Sequence, residues 1–161
     1  MERRNSGIYL LLVYILIAAY LLPLFSGAGS EDDLTRWATT ISIVEKNSFD
    51  ISWTKDLIRS DFNDVTKTPD GRIYSNKSPG ISFLSAPFYA IVKVILGKPT
   101  PENVRTSWFV LRIIVSTIPL IVLAIWLIGM EVDTYSLGVL LFATPLFPYS
   151  LLYYSHVLTA V

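Results

Sequence analysis

Four residues in this chain have types and positions that allow chemistry: Asp33, Arg36, Lys77 and His156. Asp33 ends the run Ser30-Glu31-Asp32-Asp33, directly before Leu34, Trp37, Ala38, Ile41 and Val44. Those apolar positions recur every three or four residues, which predicts one face of an amphipathic helix of about three turns. A carboxylate at its start has two readings. One is capping, with Ser30 as N-cap and Asp33 where a capping-box acid sits. The other is a general base held at the water–lipid boundary. Arg36 follows Asp33 by three residues and shares its helix face. Lys77 stands directly before Ser78-Pro79-Gly80 and an apolar run, where its ammonium is either a snorkelling anchor or placed to meet a lipid phosphate. His156 is a lone ionisable residue in an apolar stretch, either a site residue or a hydrogen-bonded structural one.

The elements that must hold these residues belong to a membrane protein. The chain has 161 residues, 52% hydrophobic and 16% charged, against about 25% charged in ordinary globular chains. Thirteen basic residues balance thirteen acidic ones, which excludes a nucleic-acid binder working by phosphate neutralisation. With no Cys, there is no disulfide scaffold, thiol nucleophile or Cys-ligated metal, and one His without ligand spacing gives no zinc signal.

The charges are segregated. Residues 7 to 29 carry none in 23 positions, enough for a span that needs roughly 20 helical residues. Arg3 and Arg4 precede it, so the positive-inside rule places the N-terminus in the cytoplasm. A cleaved signal peptide is the alternative, with Ser26, Gly27 and Ala28 as small residues near a cleavage site. Residues 28 to 80 hold nine acids and seven bases with turn signals at Thr68-Pro69-Asp70-Gly71 and Ser78-Pro79-Gly80, an aqueous outer loop. Within it, Arg72-Ile73-Tyr74 reads as a short strand. Residues 81 to 97 are apolar but short, with Pro87 and Lys93 inside, and read as a short span or an interfacial helix. Residues 106 to 130 form a span with Arg112 near its start and a kink at Pro119. Residues 135 to 152 form another, broken at Pro145 and Pro148, and 153 to 161 begin a further helix. The uncapped apolar end at Val161 reads as the front portion of a larger membrane domain.

These residues together resemble the amino-terminal part of multi-spanning glycosyltransferases that use lipid-phosphate sugar donors, the GT-C type (glycosyltransferase family 39-like). That group includes protein O-mannosyltransferases and the aminoarabinose transferase of lipid A. The resemblance rests on Asp33-Leu34-Thr35-Arg36-Trp37-Ala38, with Leu34 where a second acid is often found. It rests also on Tyr74-Ser75-Asn76-Lys77-Ser78-Pro79-Gly80 before Leu84 and Pro87. The third element is Ala143-Thr144-Pro145-Leu146-Phe147-Pro148-Tyr149 followed by Tyr154-Ser155-His156, where many relatives have an acid at the last position.

The resemblance implies an all-α membrane protein with a GT-C-like bundle. Its loop 28–105 would lie outside the plasma membrane, carrying helices at about 32–46 and 81–97, the latter interfacial. It implies transfer of a sugar from a polyprenyl-phosphate donor to a protein, lipid or glycan acceptor, with inversion. Asp33 would be the base, Lys77 and Arg36 would bind the donor phosphate, and Tyr74 and Trp37 would line the sugar or lipid path or act as belt aromatics. His156 would be a second site residue. No cofactor is required; a divalent metal held partly by Asp33 stays open. The chain alone is expected to be inactive, because a donor pocket of this type needs further helices. The alternatives are a small non-enzymatic membrane anchor or scaffold working through its outer loop, and a transporter fragment with His156 and the proline-broken segment lining a pathway. A reading frame that continues past residue 161 into more spans favours the transferase.

Overall fold

The computed structural model describes residues 2–25, 31–58, 61–153 and 157. It is mostly helical, with one small antiparallel sheet. In chain order the elements are α1 (Glu2–Leu21), α2 (Glu31–Lys46), α3 (Lys55–Ile58), β1 (Val65–Lys67), β2 (Ile73–Ser75), α4 (Gly80–Leu96), α5 (Val104–Arg112), α6 (Ile118–Gly129), α7 (Thr134–Gly138) and α8 (Leu146–Ser150). Short 3₁₀ turns follow α1 at Leu22–Phe25 and precede α3 at Ser52–Thr54. Two helical runs are long and apolar enough to cross a membrane, Arg4–Leu24 and Val104–Gly129. Gly80–Leu96 and Thr134–Ala143 are apolar but shorter.

The chain divides into two compact units. One comprises residues 27–112, the other residues 1–26 and 113–161.

In the second unit, α1 carries Tyr14 on its buried side. The Tyr14 hydroxyl donates to Ser150 Oγ at 2.7 Å, and its ring meets Phe142 and Phe147 edge-on. The outward residues of α1 and α6, among them Tyr9, Leu16, Tyr20, Ile125 and Trp126, are large, apolar and exposed. Water disfavours such a surface, whereas hydrocarbon tails do not. The backbone widens to a π turn at Ile113–Thr117, just before Pro119. Proline supplies no amide to the preceding turn, so a wider turn there accommodates the missing bond. Thr117 Oγ1 donates to the Ser150 carbonyl at 2.7 Å. The run expected at 135–152 is interrupted at Thr144, which is extended (φ −108°, ψ 162°). A residue before proline is pushed out of the helical region, and Pro145 follows.

In the first unit, α2 packs along α4. Lys46 in the last turn of α2 suits the negative end of its dipole. The helix stops at Asn47, whose positive φ of 48° a short polar side chain tolerates. The buried side of α2 mixes apolar Trp37, Ala38 and Ile41 with Thr35, Thr39, Thr40 and Ser42. The hydroxyls of Thr39 and Thr40 donate back to the carbonyls of Thr35 and Arg36, at 2.8 and 3.0 Å, which satisfies them away from water. Across the interface, Ser82 Oγ donates to the Arg36 carbonyl at 2.8 Å. At the far end, Glu45 accepts from the Tyr89 hydroxyl (3.2 Å) and from Lys93 Nζ (2.9 Å). Burial, and then the adjacent Glu45 carboxylate, push the Tyr89 hydroxyl well up, so it remains a donor. The opposite face of α4, with Phe83, Ile91, Val94 and Ile95, is exposed and apolar.

Candidate functional site

The first turns of α2 meet the segment that follows β2. That segment is placed by a hairpin: β1 and β2 pair antiparallel in the register Val65↔Ser75, Thr66↔Tyr74, Lys67↔Ile73. The turn closes through Gly71, at φ +84°, with its amide donating to the Thr68 carbonyl at 3.0 Å. Glycine takes that conformation without a Cβ penalty. Asp50, in the loop after α2, fastens the hairpin. Its Oδ1 accepts from the Ile73 amide at 3.0 Å and the Ser52 amide at 2.9 Å, while the Ile51 amide donates to the Ile73 carbonyl at 2.8 Å.

Those contacts tie the hairpin to acidity. Burial alone raises the Asp50 carboxyl, but the hydrogen bonds from Ile73 and Ser52 outweigh it and hold it below the usual carboxylate value. A carboxylate whose folded value is depressed contributes stability above its unfolded value and loses it as pH falls through the folded one. The Ile73 amide is therefore expected to keep its hydrogen-exchange protection through mildly acidic pH and to lose it only below the usual carboxylate range. Asp50→Asn should weaken that protection at neutral pH and flatten its pH dependence.

The hairpin register carries Asp64 and Asn76 one step beyond the Val65–Ser75 pair, and Asn76 Nδ2 donates to Asp64. Lys77 follows. Its ammonium is clasped by two carboxylates, Asp32 of α2 at 3.0 Å and Asp64. Hydrogen bonds to Asp64 and then Asp32 hold Lys77 above its ordinary value, and the bond from Lys77 holds Asp64 below its own. Beside this clasp is a cavity of about 180 Å³ lined by Thr39, Phe49, Tyr74, Ser75, Lys77 and Pro79. Its lining combines one cation with hydroxyl-bearing Thr39, Tyr74 and Ser75 and the Phe49 ring.

Asp33 points elsewhere than its neighbour. It is fully buried, at 0% exposure, where Asp32 is partly exposed beside Lys77. Arg36 is half-buried one turn further on. Trp37 is 2% exposed, inside the unit rather than at a headgroup-level surface. The physical reason is that α4 and the hairpin both pack on α2, so its apolar face is covered by protein.

No family model, curated protein or solved structure matches the chain.

The site is therefore defined by its geometry. The structure brings together Tyr74 and Lys77 at the cavity, and places Asp33, Arg36 and Trp37 on the adjoining helix. Ser30 and His156 lie outside the described residues. Among the described residues no three His, Cys, Asp or Glu side chains gather to hold a metal ion. Sequence reasoning missed Asp32 and Asp64 as the partners of Lys77. The signal for Asp64 was present in the turn Thr68-Pro69-Asp70-Gly71, which closes a hairpin and sets Asp64 against Asn76. It also left Thr39 out of the cavity lining and gave Arg112 no role. Arg112 is fully buried, its guanidinium 4.8 Å from the Trp108 ring centre and 5.3 Å from that of Phe109.

Proposed function

We propose that this protein is a membrane glycosyltransferase of the GT-C type, moving a sugar from a polyprenyl-phosphate donor to an acceptor hydroxyl at the outer face of the plasma membrane. The observation that carries this reading is the contact between Lys77 and α2. The ammonium lies 3.0 Å from Asp32, so the cation is held against the residue next to the base candidate Asp33. The apolar face of α4 supports it, because a helix that packs on α2 with one side and exposes Ile91, Val94 and Ile95 on the other suits the membrane interface. In this arrangement the protein is multi-pass, its N-terminus is cytoplasmic and the loop 28–105 is outside.

The acceptor oxygen attacks the anomeric carbon as the bond from that carbon to the phosphate oxygen breaks. The electron pair leaves with the polyprenyl phosphate, and the acceptor proton passes to Asp33. Lys77, joined by Arg36, offsets the charge that grows on the departing phosphate. Tyr74, Thr39 and Ser75 meet the sugar hydroxyls.

The test is transfer of labelled sugar from a polyprenyl-phosphate donor by the full-length protein in lipid vesicles. No labelled product with any hexose or pentose donor would overturn the reading. Lys77→Ala should raise the apparent KM for donor on the order of tenfold, the equivalent of one charge-assisted hydrogen bond of about 1.5 kcal/mol or more. A donor KM equal to wild type would remove Lys77 from the phosphate site.

A further inference from the structure

Lys77 reaches the cavity with two carboxylates attached. An ammonium has three N–H donors, and Asp32 Oδ1, at 3.0 Å, and Asp64 Oδ2 take two of them. Both carboxylates are anchored. Asp32 belongs to α2, and the other oxygen of Asp64 accepts from Asn76 Nδ2, one step beyond the last pair of the β1–β2 ladder. All three charged side chains are partly exposed, so the cluster is open to a ligand rather than sealed in the core. Among the described residues, Lys77 is the one charged group in the cavity lining. A phosphate bound there places an oxygen about 2.8 Å from Nζ. Whether it takes the third N–H or the place of one carboxylate, at least one carboxylate remains on the same nitrogen. That carboxylate then lies within roughly 6 Å of the phosphate oxygen, inside the distance over which salt screens charges.

A lipid phosphate changes its charge in the proposed transfer. The donor carries its phosphate as a diester, with a single negative charge. Once the sugar has left, the same lipid carries a phosphomonoester, with about 1.5 to 2 negative charges at neutral pH. A lysine alone would hold that product more tightly than the donor, whereas a fixed carboxylate repels the product more. We propose that Asp32 and Asp64 are specificity-determining residues: they make the Lys77 site favour a singly charged lipid phosphodiester over the more highly charged lipid phosphomonoester, and so promote release of the spent carrier. The place of this step in catalysis rests on the glycosyltransferase reading.

The test is equilibrium binding of two tritiated probes, a polyprenyl monophosphate and its methyl diester, to the full-length protein in phosphatidylcholine nanodiscs. The wild type should bind the diester roughly threefold more tightly, the size expected for one partly exposed charge interaction. Asp64→Asn and Asp32→Asn should each tighten monophosphate binding by a similar factor, roughly threefold, and bring the ratio toward one. A clasp that only braces the hairpin against α2 predicts no such gain in affinity. Equal or reversed affinities in the wild type would overturn the proposal without any variant. So would monophosphate binding that is unchanged or weaker in whichever variant folds; the two substitutions lie on different elements. Binding of both probes unaffected by Lys77→Ala would remove phosphate from this site, and the proposal with it. Absence of sugar transfer, with the binding pattern as expected, would remove the glycosyltransferase reading and leave the charge discrimination intact.

Discussion

Asp33→Asn in the full-length protein should lower sugar transfer by about two to four orders of magnitude, the range a positioned general base contributes. Asparagine keeps the size and planarity of the side chain, so the zero-exposure site on α2 is not opened as a cavity. What is lost is the capacity to take a proton. Because Asp33 is fully buried, the substitution also removes a charge from inside the protein, and a change in stability accompanies it. The two effects separate in one experiment. Transfer is measured per folded molecule, at a temperature well below the variant's melting transition, and at saturating donor. A rate per folded molecule equal to wild type would exclude Asp33 as the base. Asp33→Glu keeps the charge but adds a methylene to a closed site, and should recover part of the activity at some cost in packing.

Trp37→Ala should destabilise the protein by about 3–5 kcal/mol, the usual cost of deleting a buried aromatic side chain. Trp37 is 2% exposed and among the largest side chains sealed in the first unit. Its indole Nε1 is buried and has no hydrogen-bond partner among the described residues. Trp37→Phe therefore removes an unsatisfied donor along with part of the volume, and should cost much less than the alanine variant. Thermal or denaturant unfolding in a defined detergent checks both. Equal stability of Trp37→Ala and wild type would mean that this face of α2 is not packed as described. A residue lining the sugar path would behave differently: its loss would change donor kinetics with little change in unfolding.

Much of the scaffold was legible in the sequence because long apolar runs and three-and-four spacing are local signals. The stretch expected at 32–46 is observed as Glu31–Lys46, and that at 81–97 as Gly80–Leu96. The partners of these elements were not legible. The Leu34, Trp37, Ala38, Ile41 stripe marks a face to be covered but does not distinguish lipid from protein as the cover, and α4 with the hairpin covers it. Lys77 stood out by its place before Ser78-Pro79-Gly80. Its clasp by Asp32 and Asp64 depends on strand pairing and on the docking of β2 against the Asp50 loop, contacts distant in sequence. Asp33 and Asp32 read alike as neighbouring acids; only packing turns one inward and leaves the other at the surface. Arg112 was visible as a charge at the edge of an apolar run, the kind of residue that marks a functional or paired position in a membrane helix, but its full burial against the rings of Trp108 and Phe109 was not.

The clasp at Lys77 has a kinetic consequence for the proposed donor. One ammonium between two carboxylates leaves a local excess of negative charge beside the cavity that Lys77 lines. A phosphate diffusing in from bulk water meets no attractive field there, and its association is not accelerated by steering. A phosphate tethered to a prenyl tail needs no such help, because the bilayer already confines it to a thin layer at high effective concentration, where repeated short encounters give it time to displace the carboxylates. On the proposed reading, the clasp favours a donor delivered by the membrane over soluble sugar phosphates and nucleotide sugars, before any contact with the sugar itself.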